Sequence, residues 1–259
     1  RFRANFFKTI KGSAVVIRRV ESIVPEMEQL NFPPVLYDAV DMRKGLVLVT
    51  GPTGSGKTTT IASIINEINK TRKANIITVE DPVEFIHKDK LSIISQREVG
   101  KHTQSFSNSL RAALREDPDI IFVGELRDLE TISLAMTAAE TGHVVFGTLH
   151  TSGAPETINR IIDVFPPEQQ SQIKAQISNS VKMVLTQRLV KSKDGLNRFA
   201  AFEVMKCTPP IQNLIREGKV HQIPSVIQTS AKDGMIEMKK SLEDLIRAGK
   251  IDGTAAKEE

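Results

Sequence analysis

Gly51-Pro52-Thr53-Gly54-Ser55-Gly56-Lys57-Thr58 is the stretch whose reading decides the fold. It completes the pattern G-x-x-x-x-G-K-[ST]. Glycines let the backbone wrap around an anion and turn its N–H groups inward. A helix opening near Lys57 adds the positive end of its dipole. Lys57 is expected to reach the outer phosphates of ATP, and Thr58 to offer its hydroxyl to Mg²⁺. The expected nucleotide-binding residues are therefore Gly51, Pro52, Thr53, Gly54, Ser55, Gly56, Lys57, Thr58 and Thr59.

The flanks supply the context that the motif requires. Before it, Leu46-Val47-Leu48-Val49-Thr50 is a short apolar run, as in a buried parallel strand. After it, Ile61, Ile64, Ile65 and Ile68 recur at the spacing of one helix face. Further strands are expected at Asn75–Val79, Leu91–Ser95, Asp119–Val123 and His143–Thr148. Helices are expected at Phe106–Leu114 and from the cap Asp128 to Thr141, stopped by Gly142. Alternating strands and helices imply an α/β fold with a parallel sheet covered by helices. Beyond about Pro155 the pattern reads as mainly helical. One helix opens at Thr208-Pro209 and ends at Gly218, and a last amphipathic helix carries Met238, Leu242, Leu245 and Ile246 before Gly249.

Residues ahead of this core read differently. Residues 1 to about 20 look like strand, turn and strand, and Glu21 to Pro34, with three prolines, looks like a linker. A lone pair of strands is marginal in water, so it is expected to belong to a larger unit. The start lacks a signal-peptide pattern and an initiator Met, which reads as a chain beginning inside a domain. The tail from Gly253 has a composition that favours disorder.

Bulk properties narrow the function classes. The net charge is +4, with acids and bases interspersed, and gives no concentrated basic stripe of the kind a nucleic-acid binder needs. Cys207 is the only cysteine, so neither an intrachain disulfide nor a cysteine zinc site can form, which suits a reducing cytoplasm. No apolar run approaches the ~20 residues that span a bilayer.

A P-loop ATPase needs carboxylates near the γ-phosphate, to help hold Mg²⁺ and to polarise water. The strand Ile120–Val123 leads into Gly124-Glu125, and ligands bind at the carboxyl ends of strands in such sheets. Glu125 is thus the main candidate acid, with Gly124 where other P-loop proteins often carry an aspartate; an ion pair with Arg127 is the plainer alternative. A second cluster, Glu80-Asp81-Pro82-Val83-Glu84, follows the strand Asn75–Val79. Glu80 and Glu84 are candidates to support metal and water. His143 and His150 flank one strand, and His150 is the candidate reporter of the γ-phosphate.

With these segments together, the chain resembles the secretion ATPase superfamily and, within it, the PilT family of type IV pilus retraction ATPases. Gly51–Thr58 resembles its Walker A box, residues 78–85 its Asp box, residues 117–128 its Walker B box including Gly124, and residues 142–151 its His box. Ile211-Gln212-Asn213-Leu214-Ile215-Arg216-Glu217-Gly218-Lys219 resembles the Ala-Ile-Arg-Asn-Leu-Ile-Arg-Glu-Gly-Lys signature of the retraction ATPases, with Pro-Ile-Gln at its start. A single cysteine excludes the tetracysteine module frequent in assembly and type II secretion ATPases.

The resemblance implies a RecA-like P-loop ATPase core over 45–206 and a helical C-terminal region over 207–259. It implies that 1–24 are the last strands of a PAS-like N-terminal domain, followed by a linker over 25–44. It further implies a Mg²⁺-dependent homo-hexamer, with nucleotide at the domain junction. Arg3 and Arg18 are then candidate arginine fingers, and Arg115 a further electrostatic contact. Thr58, Glu80 and Glu125 are the implied metal-site residues. The implied setting is the cytoplasmic face of the inner membrane, reached only through a membrane platform protein. A pilus-assembly or type II secretion ATPase, a ring DNA translocase and a non-hydrolysing nucleotide-binding scaffold are the alternatives.

Overall fold

The computed structural model describes residues 2–20 and 23–253. The expected disordered tail thus lies, beyond Gly253, outside the described residues. Two strands, β1 (Phe2–Thr9) and β2 (Gly12–Arg19), form an antiparallel hairpin. A short helix α1 (Tyr37–Asp41) leads to β3 (Gly45–Thr50) and α2 (Lys57–Thr71). Then come β4 (Asn75–Glu80), β5 (Ile93–Glu98), α3 (Phe106–Ala113), β6 (Ile120–Val123), α4 (Leu129–Glu140) and β7 (Val144–Leu149). The chain continues through α5 (Ala154–Asp163), α6 (Gln170–Ser180), β8 (Val181–Lys191), β9 (Arg198–Lys206), α7 (Pro209–Arg216), α8 (Ile223–Thr229) and α9 (Met238–Arg247).

Seven strands form one sheet in the order β5-β4-β6-β7-β3-β8-β9. All neighbours are parallel except β8 and β9. The carboxyl ends of β3, β4, β6 and β7 therefore share one edge, which is where a ligand belongs in such sheets. Alternate residues feed two cores. Ile121 and Val123 pack with α3 to α8, while Ile120 and Phe122 pack with α2 and the segment before β3. The apolar stripe of α2 is fully used: Ile61, Ile64, Ile65 and Ile68 are all buried. Each contributes about 2 kcal/mol on leaving water, which anchors the helix that presents Lys57. Asp128 caps α4 as expected, accepting from the Thr131 backbone N–H at 2.9 Å.

Two stretches hold more structure than the sequence suggests. Helices α5 to α9 predominate beyond Pro155 as expected, but the strands β8 and β9, running through 181–206, were not anticipated. Strand β8 is covered on both sides, so Val181, Met183, Val184 and Leu185 are all buried and no period-2 alternation betrays it. The stretch 25–44, read as a linker, carries a buried face. Met27, Leu36 and Ala39 lie in the α2-side core, and Arg72 ties the end of α1 down by donating to the carbonyls of Val40 and Met42 at 2.7 and 2.9 Å.

The hairpin contrasts with all this. Every residue of β1 is exposed, as are all of β2 except half-buried Ala14. Phe2, Phe6, Val16 and Ile17 stand more than half exposed.

Candidate nucleotide-binding site

The phosphate loop is held open by its glycines. Gly51, Gly54 and Gly56 adopt φ of +136°, +82° and +91°, the left-handed region that other residues avoid. Gly51 is also pressed against β8: a Cβ there would sit 2.2 Å from the Gln187 carbonyl oxygen. The Gln187 side chain braces the loop's far end. Its Oε1 accepts from Thr60 Oγ1 at 2.6 Å, and its Nε2 lies 2.7 Å from where a Gly56 Cβ would be.

Lys57 is buried at the start of α2. Its Nζ donates to the carbonyls of Gly51 and Pro52 at 2.7 and 2.9 Å, across the loop. Burial pushes its pKa down, and the Glu125 carboxylate partly restores it. Ser55 Oγ is buried without a hydrogen-bond partner. An orphaned hydroxyl, a lysine on loop carbonyls and a glycine cradle together fit a polyphosphate.

A cavity of about 520 Å³ opens over the loop. Lys57, Thr58, Glu84, Glu125, His150 and Arg18 all reach it, as does Arg127. Beside it lies a small cavity of about 80 Å³ lined by Thr58, Glu80, Asp81, Glu84 and Glu125, where four acidic residues surround one hydroxyl-bearing residue. A third cavity, about 480 Å³, lies between the hairpin and the Glu80–Phe85 loop; Arg3 and Arg18 both reach it. Thus Arg18 borders the phosphate site and Arg3 the adjoining space.

Glu125 follows β6 on a tightly folded turn. Gly124 suits that turn, since a Cβ would lie 3.1 Å from the Val79 carbonyl oxygen and 3.2 Å from Glu80 Cα, close enough that the neighbouring backbone would have to give by a few tenths of an ångström. Thr148 Oγ1 donates to the Gly124 carbonyl, and Leu126 N–H to the Thr148 carbonyl at 3.0 Å, which fixes the turn against β7. The Glu125 carboxylate meets Arg127 at 2.6 Å and His150 Nε2 at 3.5 Å. Burial works to raise its pKa, but Arg127 and His150 outweigh it and hold the group below the usual carboxylate value. His150 Nδ1 in turn lies 3.5 Å from Thr53 Oγ1 of the loop, so the histidine joins the candidate acid to the phosphate cradle.

Glu80 is different. Its side chain is buried, and Thr78 Oγ1 and Gln96 Nε2 donate to Oε1 at 2.8 and 3.2 Å. Burial pushes its pKa up to about 7 despite those donors. Among the described residues no three His, Cys, Asp or Glu side chains form a ready metal cage. A Mg²⁺ site here fits Thr58 and one or two carboxylates only in company with phosphate oxygens and water, the manner in which Mg²⁺ binds nucleotides.

Two residues fall away from the site. His143 lies at the amino end of β7, bonded to Ala138 and Thr141, and Arg115 lies ahead of β6 at the same far edge of the sheet. Three contributors were missed by sequence reading. Gln187 lies on a strand that the sequence does not announce, Gln96 is a polar residue on an edge strand, and Arg127 reads in the sequence only as a salt-bridge partner. Gln187 also opens on a cavity of about 270 Å³ beside the loop, with Phe32, Leu189 and Phe199 among its walls.

Comparison with known proteins agrees with this geometry. The family model described as "Type II/IV secretion system protein" matches residues 1–207. The twitching motility protein of Neisseria gonorrhoeae is 51% identical over 257 residues, covering 99% of this chain and 69% of that one. The type IV pilus retraction ATPase PilT of Pseudomonas aeruginosa is 50% identical over 258 residues, covering 100% of this chain and 75% of that one. A crystal structure of the pilus retraction motor PilT with bound ADP superposes with a TM-score of 0.91 at 47% identity, covering 98% of this chain and 72% of that one. The fold is accordingly a RecA-like P-loop ATPase core. The chain belongs to the type II/IV secretion system protein family, in its PilT branch.

Proposed function

We propose that this chain is the subunit of an ATP-hydrolysing hexameric motor that powers type IV pilus retraction. One observation carries the reading: the glycine cradle, Glu125 and His150 converge on one cavity from neighbouring strand ends. Lys57 leaves the loop carbonyls for the β- and γ-phosphates. Glu125, ionised and steadied by His150, orients the attacking water and receives its proton. Glu84 and Glu80 support water and metal. A bound Mg²⁺ supplies positive charge against the phosphate oxygens, and Thr58 with Glu80 and Glu125 would hold it. The nucleoside half fits the 270 Å³ cavity with its aromatic and aliphatic walls.

Arg18 and Arg3 are read as arginine fingers on a hairpin that belongs to an N-terminal PAS-like domain, 1–24. The hairpin's exposed apolar residues support that assignment. Loss of the γ-phosphate releases contacts that hold hairpin and core together, and the ring changes shape. No helix among the described residues is long and apolar enough to cross a membrane. Force is therefore passed to pilin through a platform protein, from the cytoplasmic face of the inner membrane. Nucleic acid is not the track, since the charge is small and dispersed.

The test is phosphate release from Mg-ATP, with the assembly mass followed in parallel. We expect a hexamer that hydrolyses ATP, and no hydrolysis above background for Lys57→Ala. Tight ATP binding with no phosphate release by the unaltered protein would overturn the motor reading in favour of a scaffold.

A further inference from the structure

Edge strand β5 sends no side chain into the 520 Å³ cavity, yet one of its residues grips three points of the acidic segment beside it. Gln96 stands in register with Thr78 of β4. Its Nε2 donates to Glu80 Oε1 at 3.2 Å and to the Phe85 carbonyl at 2.9 Å, and its Oε1 accepts from the His87 backbone N–H at 2.8 Å. Both amide donors and the acceptor are in use. Two residues along the same strand face, Glu98 Oε2 accepts from the Val83 N–H at 3.2 Å. The loop is thus pinned to β5 at Val83, Phe85 and His87. It carries Asp81 and Glu84 into the nucleotide cavity, and it begins at Glu80, which faces Thr58.

The donors around Glu80 do different work. Thr78 shares β4 with Glu80 and cannot fix the carboxylate relative to anything outside that strand. The Glu84 backbone N–H also favours the charged form, but it belongs to the loop itself. Gln96 comes from a separate strand and joins both. An amide of this length bridges a carboxylate and two backbone groups at once, whereas neither a carboxylate nor a thioether can.

We propose that Gln96 is a positioning residue for ATP hydrolysis: it sets the rotation of the Glu80 carboxylate and locks the Asp81–His87 loop against the phosphate site. This rests on the reading of Glu80 as part of that site. It acts through Glu80 and the loop and touches no nucleotide.

The test compares Gln96→Met, Gln96→Glu, Glu80→Gln and the Gln96→Met/Glu80→Gln pair in the full chain. Steady-state hydrolysis, ATP affinity and thermal midpoint are read for each. Gln96→Met keeps the length of the side chain without donors, and Gln96→Glu keeps the acceptor for His87 alone. Both are expected to lower kcat about 10-fold, the size seen when groups that orient a site's ligands are removed. KM for ATP should stay within about two-fold, since the cradle is untouched. The paired variant should fall within about two-fold of Glu80→Gln alone, because both changes act on one network. A merely structural clamp would lower the thermal midpoint and leave kcat of the folded fraction unchanged. That outcome, or full additivity in the pair, overturns the proposal. If Gln96→Met does not fold, Gln96→Glu and its own pairing with Glu80→Gln decide by the same criteria. Wild-type kcat in Glu80→Gln would instead overturn the reading of Glu80, and this inference with it.

Discussion

Strands β4 and β6 lie side by side and each leads into a glutamate at the same edge of the sheet, yet the two carboxylates live in opposite surroundings. Glu80 is buried among neutral donors, and its pKa rises to about 7. Glu125 is half-open to the cavity between Arg127 and His150, and its pKa falls. Desolvation acts on both. The difference is a paired cation, present at β6 and absent at β4. In the proposed mechanism two carboxyls pushed apart in this way would take different tasks: Glu125 would stay charged to activate water, and Glu80 would share or hold a proton until a cation arrives.

The largest effect expected from breaking this pair is on turnover. Glu125→Gln should reduce hydrolysis by roughly 100- to 1000-fold with ATP affinity kept, the range for removing a general base. Glu80→Gln should cost nearer 10-fold, since an amide keeps the same shape. Similar losses in both would erase the division of labour. A second effect is on stability without nucleotide. The folded pKa of Glu80 exceeds its ordinary value of 4.5, so the native state holds the proton more tightly and stability falls as pH rises from about 4.5 to 7. Glu80→Gln should therefore be more stable than the parent at pH 8 by up to about 3 kcal/mol, and the gain should vanish at pH 4.5 in thermal melts.

A smaller change comes from His150, which ties Glu125 to Thr53. His150→Asn should slow hydrolysis by about 10-fold while single-turnover ATP binding stays intact. The smallest effect belongs to Arg127, whose side chain is 64% exposed. Its pairing with Glu125 is worth less than about 1 kcal/mol, so Arg127→Ala should move the acid limb of the pH–rate profile up by under one unit.

Much of this was legible in the sequence. The phosphate loop, the stripe of α2 and the end of β6 each carry a local signal tied to a local cause, namely glycine geometry, helical period and a short apolar run. Glu125, Lys57 and Thr58 stand where that logic placed them. The rest depends on tertiary contacts that no short window contains. Strand β8 is apolar on both faces, so its period is lost and Gln187 with it. Residues 25–44 carry prolines that resemble a linker, yet Met27 and Leu36 are buried in the α2-side core. Gln96 gives no sign of its role, because its partners lie on β4 and on the loop that follows. The opposite pKa shifts of Glu80 and Glu125 could not be read at all, since both are acids after apolar strands and only burial and Arg127 separate them.

The most direct measurement is a site-resolved titration of the two carboxyls, by ¹³C NMR with Glu80→Gln and Glu125→Gln supplying the assignments. Glu80 should titrate near 7 and Glu125 below the ordinary 4.5. Both groups titrating together near 4.5 would contradict the account.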